Sequence, residues 1–145
     1  MNDAYVFDTE AIIAFLYGEP GHNVVADLLV DVEADAEGYL TEANASEVFY
    51  LVARFEGTDD DTPTAASLRT ADRDIRALER RGLAIERTNW RFAGEVKADS
   101  HISLADANAV ALAHDRDAML IAGADDDFEE LPIDVDVFRF RNHGV

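Results

Sequence analysis

The chain has no cysteine among its 145 residues, which excludes a disulfide framework, thiolate metal sites and thiol nucleophiles. It also lacks a long apolar run. The longest, residues 11–17, falls well short of the roughly 20 residues that cross a bilayer, so no membrane span is expected. No basic residue precedes Arg54, so the N-terminus lacks the positive region of a signal peptide, and a cytoplasmic location is expected. Bases are scarce throughout: 12 stand against 31 acids, for a formal net charge of −19, and Lys97 is the only lysine. Such a surface ordinarily repels nucleic-acid phosphate. It equally suits a halophilic cytoplasm, where the Debye length shrinks to about 3 Å at 1 M salt and repulsion is screened. The charge is therefore read as habitat and weighs little against a nucleic-acid partner.

What is present is a globular composition, 48% hydrophobic, in a length near that of one domain, expected to occupy residues 1–145. Short apolar runs at 5–7, 38–41, 83–87 and 118–122, and an alternating one at 135–140, read as strands. Between them lie helical segments at 11–17, around 24–29, at 44–55, from the loop 57–64 to about 81, at 90–98 and from 103 to about 115. Strands separated by helices imply an α/β fold with a mostly parallel, roughly five-stranded sheet covered on both faces.

The placement of acids within this pattern carries the functional signal. Asp8 ends the first strand and Asp125 follows the fourth by a few residues. In open parallel sheets ligands bind beyond the carboxyl ends of the strands, where the strand order reverses. Asp106 lies in the first turn of a helix capped by Ser103, and Glu47 in the first turn of the helix expected to begin near Asn44. Taken singly, first-turn acids are explained by the helix dipole. Asp8 is not, because it interrupts an apolar segment, and charges in such places are costly unless paired or metal-bound. Carboxylates gathered without histidine or cysteine point to Mg²⁺ or Mn²⁺, and hydrolysis of a phosphodiester is the matching reaction.

Val6-Phe7-Asp8-Thr9 with the apolar run after it, Gly18-Glu19-Pro20-Gly21, Asn44-Ala45-Ser46-Glu47-Val48, Ser103-Leu104-Ala105-Asp106-Ala107 and the stretch from Met119 to Phe128 form an ordered set. In order and spacing this set resembles the PIN domain family, and most closely the VapC toxin ribonucleases of toxin–antitoxin pairs. The resemblance implies a three-layer α/β/α sandwich, often homodimeric, that cleaves RNA with Mg²⁺ or Mn²⁺. It implies an acidic quartet of Asp8, Glu47, Asp106 and Asp125, with Asp8 and Asp106 the surest metal ligands. Asp125 and Asp127 would be further metal ligands, and Thr9 and Asn44 would orient carboxylates. It further implies an antitoxin that wraps the toxin and obstructs the pocket. The chain departs from the family pattern at Glu10, where a small hydroxyl residue is frequent, and at Gly123-Ala124-Asp125, where Thr-Gly-Asp is frequent.

Arg69, Arg73, Arg76 and Arg80 recur at spacings of four, three and four beside the apolar stripe Leu68, Ala71, Ile75 and Leu78. They could contact RNA phosphate, but interruption by Asp72, Asp74 and Glu79 favours a solvent-facing row with helix pairs such as Asp72 to Arg76. Trp90 and Phe92 are read as core or dimer contacts rather than base-stacking platforms. His22, His101, His114 and His143 show no ligand spacing. Three rivals were weighed. A haloacid-dehalogenase-like phosphatase needs a second Asp where Glu10 stands and a helping lysine, and a phospho-receiver domain meets the same lysine objection. The third is a PIN-like binding module that no longer cuts, against which the intact acids argue.

Overall fold

The computed structural model of the chain describes residues 3–123, 128 and 131–142. The elements follow in the order β1 (Ala4–Phe7), α1 (Thr9–Tyr17), α2 (His22–Ala34), β2 (Glu37–Thr41), α3 (Glu42–Phe55) and α4 (Ala65–Arg80). After these come β3 (Leu83–Glu86), α5 (Trp90–Ala98), α6 (Leu104–Arg116), β4 (Met119–Ala122) and β5 (Val137–Arg139), with a 3₁₀ turn at Phe140–Asn142. The strands form one sheet in the order β3-β2-β1-β4-β5, and every pairing is parallel. The chain thus starts in the middle of the sheet, builds outward on one side and then returns to the other. β1 and β4 are the neighbours at which the order reverses, with Val6 opposite Leu120 and Phe7 opposite Ile121.

The two-residue period of the central strands divides the core. Tyr5, Phe7 and Ile121 pack with α1, α2, α3 and α4 on one face, through side chains such as Ile12, Leu29, Val52 and Leu78. Val6, Leu120 and Ala122 pack with α5 and α6 on the other, against Val96, Ile102 and Val110. Burial on both faces explains why these strands read as continuous apolar runs rather than alternating ones. The expected three-layer α/β/α sandwich is the fold observed.

Five expectations shift. β2 passes directly into α3, because the Thr41 hydroxyl accepts from the Asn44 N–H and caps the helix at once. The helix therefore begins at Glu42, and Glu47 lies in its second turn rather than its first. The stripe expected through Leu68 is carried instead by Ser67, which is buried with Ala71, Ile75 and Leu78 while Leu68 is exposed. Ser67 is turned inward by a reciprocal cap with Thr64. The first helix begins at Thr9 rather than at Ala11. Of the pair read as core or dimer contacts, Trp90 is 74% exposed at the start of α5 and so is no core residue, while Phe92 is half-buried against the second core and the His114 ring. The fifth strand is shorter than expected, since Phe140 already belongs to the 3₁₀ turn.

Leu120 is fully buried on β4, beside the strand that ends in Asp8. Leu120→Ala is expected to cost about 2–5 kcal/mol of unfolding free energy, read as a lower midpoint in chemical denaturation at an unchanged slope.

Candidate active site

At the carboxyl edge of the sheet, the carboxylate of Asp8 is only 2% exposed. Its backbone N–H continues the ladder by donating to the Ile121 carbonyl at 3.0 Å, so the residue is locked between β1 and β4. Its Oδ1 accepts from the Ala11 N–H at 2.8 Å and caps α1, and the Gly123 N–H also donates to the carboxylate. The local reason is the short step from strand to helix, which leaves first-turn N–H groups in need of an acceptor. The sequence reading began this helix at Ala11 and so missed the cap.

Asp8 lines a cavity of about 310 Å³ together with Glu10, Glu47 and Asp106. Ile13, Leu51 and Phe128 supply apolar walls, and Thr9 and Ser103 complete the lining. Asp106 is set in the first turn of α6, where the Ser103 hydroxyl accepts its backbone N–H at 3.1 Å. Glu47 comes from the second turn of α3, beyond the reach of the helix dipole that would explain a first-turn acid. Asp125 and Asp127 lie outside the described residues, as does His143. His22, His101 and His114 are exposed and line no part of the cavity.

Thr9 and Asn44 act on the elements. Asn44, fully buried, donates from Nδ2 to Thr9 Oγ1 at 3.0 Å, and its Oδ1 accepts from the Thr41 hydroxyl. This chain of three buried polar groups ties the start of α3 to the start of α1. These are the helices that carry Glu47 and follow Asp8. The four arginines of α4 are exposed, Arg76 is paired with Asp72 at 3.1 Å, and none of the four lines the cavity. Lys97 is exposed on α5 and does not line it either.

Burial pushes the Asp8 carboxyl well above the usual carboxylate range, and repulsion from Asp106 and Glu10 adds to this. The two backbone donors pull it down without reversing the shift. Among the described residues the cavity lining holds no basic side chain. Nor do the described residues gather three acids or histidines closely enough to hold a metal ion unaided. The donor chemistry of Asp8, Glu47 and Asp106 is nonetheless all oxygen, which suits a hard divalent cation.

Two features of the site had no sequence signal. The Arg141 guanidinium reaches back from the end of the described chain to pair with Glu10 and Glu19, contacts separated by 131 and 122 residues. The apolar walls come from three distant segments, each of which reads as ordinary core.

A cavity lined by carboxylates thus sits at the reversal point of an all-parallel α/β sheet. The PIN domain family model matches residues 5–134, and the chain belongs to the PIN domain family. The fold is shared with VapBC2 from Rickettsia felis bound to a promoter DNA fragment (TM-score 0.70, 13% identity, 94% of this chain and 98% of that one). It is shared also with DNA-bound VapBC from Salmonella typhimurium (TM-score 0.67, 12% identity, 97% and 99%). A third is FitAcB from Neisseria gonorrhoeae (TM-score 0.63, 21% identity, 94% and 97%). No curated protein matches the chain.

Two predictions follow from the buried groups. A carboxyl with a raised native pKa binds its proton more tightly when folded, so the metal-free protein loses stability as pH rises from about 4, the unfolded value, through the raised one. Asp8→Asn, which never charges, is expected to melt above the wild type near neutral pH in a chelator. The difference should close near pH 4, and a gap independent of pH would refute this account. Asn44→Ala leaves two buried hydroxyls short of a partner and is expected to destabilise by about 1–3 kcal/mol in denaturant titrations.

Proposed function

We propose that this PIN domain is a metal-dependent ribonuclease and serves as the toxin of a toxin–antitoxin pair. The observation that carries the reading is the cavity of Asp8, Glu47 and Asp106, in which a nearly inaccessible carboxylate faces other acids with no basic side chain in the described lining. Such a site favours a divalent cation and, through it, a phosphate.

Asp8 and Asp106 would hold Mg²⁺ or Mn²⁺, with Asp125 and Asp127 as further ligands. A cation bound there supplies Lewis-acid polarisation of the phosphoryl group and an acidified water. Glu47 faces the same cavity and would orient that water and accept its proton. Thr9 and Asn44 hold the helices on which Asp8 and Glu47 sit, and their packing keeps the acids in register as substrate arrives. Ile13, Leu51 and Phe128 exclude bulk water from one side, which strengthens every charge interaction within.

The partner follows from the company the fold keeps. The structural neighbours are VapBC and FitAcB complexes, some on DNA. A cognate antitoxin and a homodimer are accordingly proposed for this chain, with RNA as the substrate. The acid-rich composition and single lysine support a saline cytoplasm as its setting, and no helix among the described residues is long and apolar enough to cross a membrane. Asp8→Asn retains the cap acceptor and Asp106→Asn keeps the Ser103 cap, so both variants are expected to fold.

The test is cleavage of total RNA in molar KCl with Mg²⁺ or Mn²⁺. Cutting is expected in the wild type, none after chelation, and none in either variant. Asn44→Ala should lower activity by about 10–100-fold, as removal of a supporting group around a metal site does. Equal activity in wild type and variants would remove the assignment. A folded, metal-loaded wild type that cuts nothing would leave the binding-module reading.

A further inference from the structure

Glu10 lines the acidic cavity, and its charge is felt at Asp8, yet it does not gather with Asp8 and Asp106 into a metal-holding group among the described residues. It lies flat against the backbone of Gly123, in the space that a β-carbon there would occupy. Gly123 has no left-handed φ, so only the Glu10 carboxylate stands where a side chain at 123 would go. The same residue donates its N–H to Asp8, so the Glu10 and Asp8 carboxylates both meet Gly123. The two departures from the family pattern, at 10 and at 123, are thus one spatial exchange.

Glu10 is held there from outside. Arg141 Nη1 donates to Glu10 Oε1, Nη2 to Glu19 Oε1 at 3.1 Å, and Nε to the Pro20 carbonyl at 3.4 Å. This is a fork on three acceptors, a contact that lysine cannot reproduce. Its base is firm, because Phe140 is fully buried and packs against Gly21, where a β-carbon would sit 2.6 Å from the ring. Gly21 itself has φ of 88°, which favours glycine independently.

We propose that Arg141 is a positioning residue for the acidic cavity: it latches Glu10 over Gly123 and so keeps a further carboxylate out of the coordination sphere of the divalent cation. Coordination positions stay open for water and phosphate, as a catalytic rather than a storage site requires. The proposal rests on the metal-dependent reading above and adds a regulator of it. Freed of Arg141, the Glu10 carboxylate swings toward Asp8 and Asp106, so cation binding tightens while turnover falls. A purely structural role for Arg141 would weaken both.

The test is Mn²⁺ titration by calorimetry on wild type, Arg141→Gln, Arg141→Lys, Glu10→Gln and the double variant, with RNA cleavage measured at saturating Mn²⁺. Arg141→Gln is expected to bind Mn²⁺ about tenfold more tightly, the effect of one added charged ligand, and to cleave more slowly. Arg141→Lys should fall between it and wild type. Glu10→Gln should bind Mn²⁺ about as the wild type does, and in its background the Arg141 substitution should lose most of its effect. Unchanged or weaker Mn²⁺ affinity in a folded Arg141→Gln protein overturns the latch. Should that variant not fold, an affinity about tenfold weaker in Glu10→Gln, the loss of a carboxylate already on the cation, overturns it instead. Wild-type cleavage with unshifted affinities sinks the latch and keeps the ribonuclease. Shifted affinities with no cleavage by any protein do the reverse, and a wild type that binds no Mn²⁺ removes both.

Discussion

A carboxylate taken almost wholly out of water at the end of a central strand is the constraint around which this protein is arranged. Asp8 meets part of its desolvation cost with two backbone N–H groups, one from α1 and one from the residue just past β4. Those bonds also fix where α1 starts and how β1 and β4 end relative to each other. The remaining cost is left standing, as the raised pKa shows. Carboxyls shifted in this way cluster at functional sites.

The described residues around the site bring other acids to this cavity, and no base among them lines it. The Thr41–Asn44–Thr9 chain binds two helices at their first turns, where helix position is most sensitive to a single bond. The Ser103 cap does the same for α6. The cation closest in function, Arg141, is spent on the two outer glutamates, Glu10 and Glu19, and does not line the cavity. The acidic surface of the chain and the acidic cavity therefore have separate causes. One is a property of composition, and the other depends on which few carboxylates the sheet topology places at its reversal point.

Much of the fold was legible. The strands are short apolar runs because both faces of the sheet are covered, and helices separate them because parallel strands need a crossover. Boundaries were less so. The start of α3 was misplaced because a strand that ends in threonine can cap the next helix with no intervening turn, and nothing in residues 38–44 marks that choice. Leu68 and Ser67 exchanged places because a cap decided the phase of α4, against hydrophobicity. Trp90 is exposed, which excludes the core half of its reading as a core or dimer contact.

By itself the sequence determined the class of fold and the order of its elements, because periodicity and residue type are local properties that survive without contacts. Three dimensions alone decided that Asp8, Glu47 and Asp106 share one cavity, that Asn44 and Thr9 act on helices, and that Glu10 answers to Arg141. Those relations join residues from 35 to 131 positions apart. They arise from how two cores close on opposite faces of one sheet, which no local pattern encodes.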